Sequence, residues 1–143
     1  REKKQASKEQ IIETAMYAFK KHKLKTILVW TPGNKSNHNY PGDDELAYDI
    51  LASAPEEIVP LRAPLDQTIG VIWLAKKSIF PDSGLMHFAS ASPGGVVGLF
   101  AETKVSPHPE QWGPLGLKST YIEAKETIKE LGNKFLHKEI NRL

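Results

Sequence analysis

The chain has no cysteine in its 143 residues. Disulfides, thiolate nucleophiles and cysteine metal sites are therefore excluded, and a reducing compartment, the cytoplasm, is the expected location. No apolar run approaches the roughly 20 residues that span a bilayer. The first ten residues are mostly charged and polar, which is not the pattern of a signal peptide. Neither sign of charge is in excess: the formal net charge is +2, too little to argue for nucleic acid as a partner. His22, His38, His87, His108 and His137 are scattered without paired spacing, so no metal site is expected. No Gly-x-Ser-x-Gly elbow, Walker loop or internal repeat is present. The chain begins on Arg1 rather than Met, which reads as a fragment or an excised domain.

What is present alternates between helical and strand patterns. Ser7-Lys8-Glu9-Gln10 is a capping box, and Ile11, Ile12, Ala15, Met16 and Phe19 follow at helical spacing. Lys20, Lys21, Lys23 and Lys25 sit where the helix dipole is negative; they are a solvated helix end or a contact for acidic lipid. Thr26 to Trp30 is a continuous apolar run, the mark of a strand buried on both faces. A polar loop, Thr31 to Gly42, precedes a helix with Asp43, Asp44 and Glu45 in its first turn and Leu46, Ala47, Ile50 and Leu51 on one face. Glu57 to Leu61 is a second strand, which Pro60 demotes toward an edge. Pro64 opens a helix carrying Leu65, Ile69, Ile72 and Ala75. Val71, Trp73 and Leu74 make that helix apolar nearly all round, as a buried or covered helix is. Ser78 to Phe80 and Val96 to Phe100 are further strands, with a helix from Ser83 to about Ala91 between them. Ala101 to Gly116 is a loop rich in Pro and Gly. A last helix is expected from Thr120, with Glu123 completing a second capping box and Gly132-Asn133 breaking or bending it.

Strands alternating with helices, without hairpin signals, predict an α/β fold: one parallel sheet covered by helices on both sides. The length is one domain's worth. Such sheets bind ligands beyond the carboxyl ends of their strands, here the loops after Trp30, Leu61, Phe80 and Phe100.

The most informative of these loops is Phe80-Pro81-Asp82-Ser83-Gly84-Leu85-Met86-His87. A strand delivers the chain to a tight turn that opens a helix. Small residues let a ligand approach the backbone there, and the unpaired amides and dipole of the first turn favour an anion. His87 lies one helical turn past Ser83. The alternative is that Asp82 or Ser83 only caps the helix and His87 packs against its neighbours.

Three stretches in order, Asp82-Ser83-Gly84-Leu85-Met86-His87-Phe88-Ala89-Ser90-Ala91, Val96-Val97-Gly98-Leu99-Phe100 and Trp112-Gly113-Pro114-Leu115-Gly116, resemble the donor-binding half of glycosyltransferase family 9. This is the ADP-heptose:lipopolysaccharide heptosyltransferase family. The resemblance implies a Rossmann-like domain, the C-terminal half of a two-domain GT-B transferase. The N-terminal acceptor domain and the first strand of the donor domain would then be absent from residues 1–143. It further implies inverting, metal-independent transfer without a cofactor. The partners would be a nucleotide-sugar donor, by default ADP-heptose, and a lipid-linked or lipopolysaccharide-type acceptor. Contact would be peripheral, at the inner face of the cytoplasmic membrane.

By the same resemblance, Asp82, Ser83, Gly84 and Leu85 hold the donor diphosphate, with His87 beside the sugar-phosphate. Lys4, or its neighbour Lys3, stands in register with a phosphate-binding lysine, although the Trp-Pro pair that follows it in the family is missing. Asp43, with Asp44 second, corresponds to the acid that holds the ribose hydroxyls, and the backbone of Ala63 to a nucleobase contact. No catalytic residue is assigned, since the base belongs to the acceptor domain. Where the family has Gly-Pro-Thr after the fourth strand, this chain has Ala101-Glu102-Thr103. An acid there opposes a diphosphate unless it points away or meets a cation such as Lys104 or Lys35. The competing expectation is a degenerate, non-catalytic nucleotide-binding or interaction module.

Overall fold

The computed structural model describes residues 5–39, 42–81, 83–101 and 118–142. Lys3, Lys4, Asp82, Glu102 and Lys104, with the rest of the loop to residue 117, lie outside the described residues. The chain divides into two compact units, one of Ser7–Arg62 and one of Arg1–Ala6 together with Ala63–Leu143.

In the first unit, α1 (Lys8–His22) opens on the expected capping box. The Gln10 amide donates to Ser7 Oγ at 3.1 Å, and the Ser7 amide to Gln10 Oε1 at 2.8 Å. Lys23 ends the helix in the left-handed region at φ 57°. β1 (Thr26–Leu28) pairs in parallel with β2 (Ile58–Pro60), and α2 (Asp44–Ser53) connects them. Ala15, Ile50, Ala54 and Ile58 form the core, with Ile11, Ile12, Leu28, Leu46 and Leu51 packed around them. The first strand is shorter than the run Thr26 to Trp30 predicts and is not buried on both faces. Leu28 turns to the core, whereas Ile27 is 48% exposed and Val59 is exposed beside it. The helices of this unit cover one face of a two-stranded ribbon, so the other face keeps its apolar side chains without a cover. Pro60 stands at the carboxyl end of β2, where a missing N–H costs little.

The second unit is a three-stranded parallel sheet, ordered β3 (Ser78–Pro81), β4 (Val96–Ala101), β5 (Thr120–Ala124). It carries α3 (Leu65–Leu74), α4 (Gly84–Ala91), a 3-10 turn at Ile128–Glu130 and α5 (Asn133–Ile140). Alternation along β4 supplies both cores. Val96 and Phe100 join Ile72, Met86 and Ala89 under α3 and α4, while Val97 and Leu99 join Ile128 and Leu136 on the opposite face. This sheet is therefore buried on both sides, as a parallel sheet requires. The expected α/β class of parallel strands flanked by helices is observed, the described strands pairing as one two-stranded and one three-stranded parallel sheet. One expectation is corrected: Thr120–Ala124 is a strand rather than the start of the last helix, which begins at Asn133 after Gly132. The second capping box is a chance match. β4 has a row of backbone groups on the side away from β3, and Thr120–Ala124 satisfies them through five register pairs. Tyr121 then meets Phe100 edge-on at 6.1 Å.

Of the two readings of its composition, a buried or a covered helix, deep burial is not what is observed, since α3 buries only Thr68 and Ile72. Leu65, Trp73 and Leu74 are exposed, Leu74 at 85%. Between α4 and β4 the chain turns tightly at Gly94, where a Cβ would run into the backbone carbonyls of Ala75 and Lys76. Gly95 follows at φ 74°. None of the helices among the described residues is long and apolar enough to cross a membrane.

Candidate functional site

The turn after β3 is built by its neighbours. Met86, Ala89 and Ser90 bury the inner face of α4, and small side chains at two of these positions let the helix lie close to the sheet. Its N-terminus consequently lies just past the carboxyl end of β3. Ser83 is extended (φ −159°, ψ 169°) and its side chain makes no capping hydrogen bond. Ser83 thus holds the N-cap position without capping through its side chain, while the other form of that alternative, Asp82 as the cap, lies outside the described residues. The first-turn amides, which lack intrahelical acceptors in any helix, receive none from that hydroxyl. Gly84 is exposed, with nothing within 4 Å of where a Cβ would stand. Leu85 is half-buried against the core beneath α4, and His87 is exposed rather than packed inside. The turn thus offers backbone donors, open space at Gly84 and an imidazole within one helical turn, a set suited to an anion.

In the same unit, Ala63 precedes Pro64, the N-cap residue of α3. Its carbonyl and that of Pro64 share the Thr68 hydroxyl, at 3.3 and 3.2 Å. This interaction ties the segment after β2 to the first turn of α3.

Asp43 belongs to the Ser7–Arg62 unit, at the N-cap position of α2. The long loop before it is closed at its base by backbone hydrogen bonds: Asp43 to the Thr31 carbonyl at 2.8 Å, Gly42 to Asn34 at 3.1 Å and Asp44 to Gly33 at 3.2 Å. Gly42 passes so near Gly33 that no side chain fits there. These bonds keep Asp43 beside the segment that follows β1. Asp44 has a different task, since its Oδ1 accepts from Trp30 Nε1 at 2.8 Å. That bond fixes the indole against the start of α2.

Sequence reasoning missed what gathers on that indole. Arg62, just past β2, places its guanidinium carbon 5.9 Å from the Trp30 ring centroid. Its Nη1 donates to Tyr48 Oη at 3.1 Å, and the Trp30 and Tyr48 rings meet edge-on at 6.2 Å. A usable signal existed: Trp30 and Arg62 both fall where parallel strands end. Among the described residues no group of three or more His, Cys, Asp or Glu could hold a metal ion.

The family model for glycosyltransferase family 9 (heptosyltransferase) matches residues 16–138. The chain belongs to this family. The chain is also similar to the solved structure of E. coli ADP-heptose lps heptosyltransferase II, with a TM-score of 0.74. The alignment covers 99% of this chain and 42% of that one at 22% identity, so the likeness shows a shared fold. This family 9 chain accordingly spans less than half the length of that structure. A search of the curated proteins finds no match.

Proposed function

We propose that this family 9 chain binds the donor of a glycosyltransferase, a nucleotide-diphospho-sugar for which ADP-heptose is the default. The carrying observation is the start of α4, uncapped by Ser83 and open at Gly84 beyond the end of β3. On this reading the amides after Ser83 hold the diphosphate, His87 lies beside the sugar-phosphate and Asp43 accepts from the ribose hydroxyls. A carboxylate suits that last role because it can accept from two vicinal hydroxyls at once. Ala63 contributes a backbone contact to the base, and Lys4, with Asp82 in the turn, completes the phosphate site.

The chemistry follows from these parts. An acceptor hydroxyl attacks the anomeric carbon from the face opposite the diphosphate, and the bond to the diphosphate oxygen breaks with inversion. Its electron pair leaves on the nucleoside diphosphate. Negative charge therefore grows at the phosphate, where preorganised amides and a helix dipole stabilise it without reorganising. A carboxylate base supplied by an acceptor domain takes the proton of the attacking hydroxyl. The acceptor would be of lipopolysaccharide-core type, reached at the membrane surface.

The test is to incubate the full-length protein with ADP-heptose and a heptose-deficient lipopolysaccharide core. Release of ADP together with a one-heptose gain in acceptor mass is expected. Absence of transfer, together with absence of ADP binding by calorimetry, would refute the reading.

A further inference from the structure

We propose that Arg62 is a specificity-determining residue for the nucleotide, its guanidinium plane forming the surface on which the nucleobase stacks. This rests on the donor-binding reading above and adds to it a side chain that reads the base.

Four side chains carry the inference, all within the Ser7–Arg62 unit. Asp44 fixes the Trp30 indole through Nε1, Trp30 lies within cation–π range of Arg62, and Tyr48 receives Arg62 Nη1. Arg62 is nevertheless exposed, and Tyr48 is 50% exposed. An exposed arginine ordinarily keeps its rotamer freedom, so holding one by a ring and a phenol needs a reason. Among the described residues its guanidinium meets no carboxylate, which sets aside a structural ion pair.

Position supplies that reason. The cluster stands at the carboxyl ends of β1 and β2, the rim at which parallel sheets receive ligands. The same rim carries Asp43, whose amide is bonded to the carbonyl of Thr31, the residue after Trp30. A carboxylate for ribose and a flat cation are thereby gathered on one edge, as the two halves of a nucleoside would need. Nη1 is engaged by Tyr48, so one of the guanidinium's five N–H donors is already used. Its central carbon lies 5.9 Å from the Trp30 ring centroid while the residue stays exposed, and a guanidinium stacks on flat π systems. A purine covers more of that plane than a pyrimidine, so the site should prefer ADP to UDP. Tyr48 is a positioning residue: it holds the plane and does not touch the ligand.

Calorimetric titration of the full-length protein with ADP, UDP and inorganic pyrophosphate tests this. Arg62→Ala should weaken ADP about tenfold, a change in the range of one stacked base, weaken UDP less and leave pyrophosphate within twofold. Arg62→Lys should behave like Arg62→Ala, because an ammonium has charge but no plane. Tyr48→Phe should weaken ADP two- to threefold and leave pyrophosphate unchanged. If Arg62→Ala weakens pyrophosphate and ADP equally and Arg62→Lys restores both, Arg62 is a phosphate ligand and the proposal is overturned. Unchanged ADP affinity in Arg62→Ala overturns it as well. Should the wild-type protein bind neither ADP nor pyrophosphate, the donor-binding reading itself fails. Binding that is lost in Gly84→Val but insensitive to Arg62→Ala overturns this inference alone.

Discussion

Gly84→Val separates folding from binding at the proposed diphosphate turn. A Cβ at this position meets nothing within 4 Å, so the branch point of a valine stands in open space. In a helix, glycine is about 1 kcal/mol and valine about 0.6 kcal/mol less favourable than alanine. The substitution at the first residue of α4 therefore changes stability by no more than about 0.5 kcal/mol. A ligand held by the amides of that turn must pack against the backbone at Gly84, and the isopropyl group takes that space. Hydrogen bonds to a charged group contribute about 1.5–3 kcal/mol each, so losing two removes about 3–6 kcal/mol. That is a loss of affinity of about a hundredfold to ten-thousandfold, each 1.4 kcal/mol being tenfold. Calorimetry with ADP, beside a thermal melt of the same samples, gives both quantities. An unchanged melt with ADP binding abolished is expected. Unchanged ADP affinity would refute the assignment of the turn.

Asp43→Asn keeps the shape of the side chain and loses the charge; ADP affinity measured in the same way should fall about tenfold to a hundredfold, for a loss of about 1.5–3 kcal/mol. Asp44→Ala removes the acceptor of Trp30 Nε1 and should destabilise the protein by about 1–2 kcal/mol in urea unfolding, whereas Asp44→Asn, which can still accept, should recover most of that. If Asp44→Asn weakens ADP more than Asp43→Asn does, the ribose contact is Asp44. Gly94→Ala drives a methyl group into the carbonyls of Ala75 and Lys76 and should destabilise the fold by about 1–3 kcal/mol, read as a lowered urea midpoint.

Local chemistry determined a large part of this molecule from the sequence alone. The capping box at Ser7 to Gln10, the helix beginning at Asp44, the apolar Val96 to Phe100 strand and the turn into α4 all depend on neighbours within a few residues. Hydrogen bonding at a helix start and side-chain alternation along a strand are short-range, and so they are legible. Membership of family 9 was legible for the same reason, because its motifs are short and ordered.

Only the tertiary structure decided what depends on distant partners. Thr120 to Ala124 carries a helix-start motif, yet the unmet backbone groups of β4 claim it as a strand. The run from Thr26 reads as doubly buried, but Ile27 and Val59 are exposed because the helices of their unit cover one face. In the sequence Asp43 is set before Asp44 only by the register of a resemblance. A 2.8 Å bond across 14 residues assigns Asp44 to Trp30, while Asp43 sits at the base of the loop. The placing of Arg62 on Trp30 and Tyr48 likewise follows from pairing β1 beside β2. Pairings of that kind join residues far apart in the chain, and no local pattern records which of several compatible partners is taken.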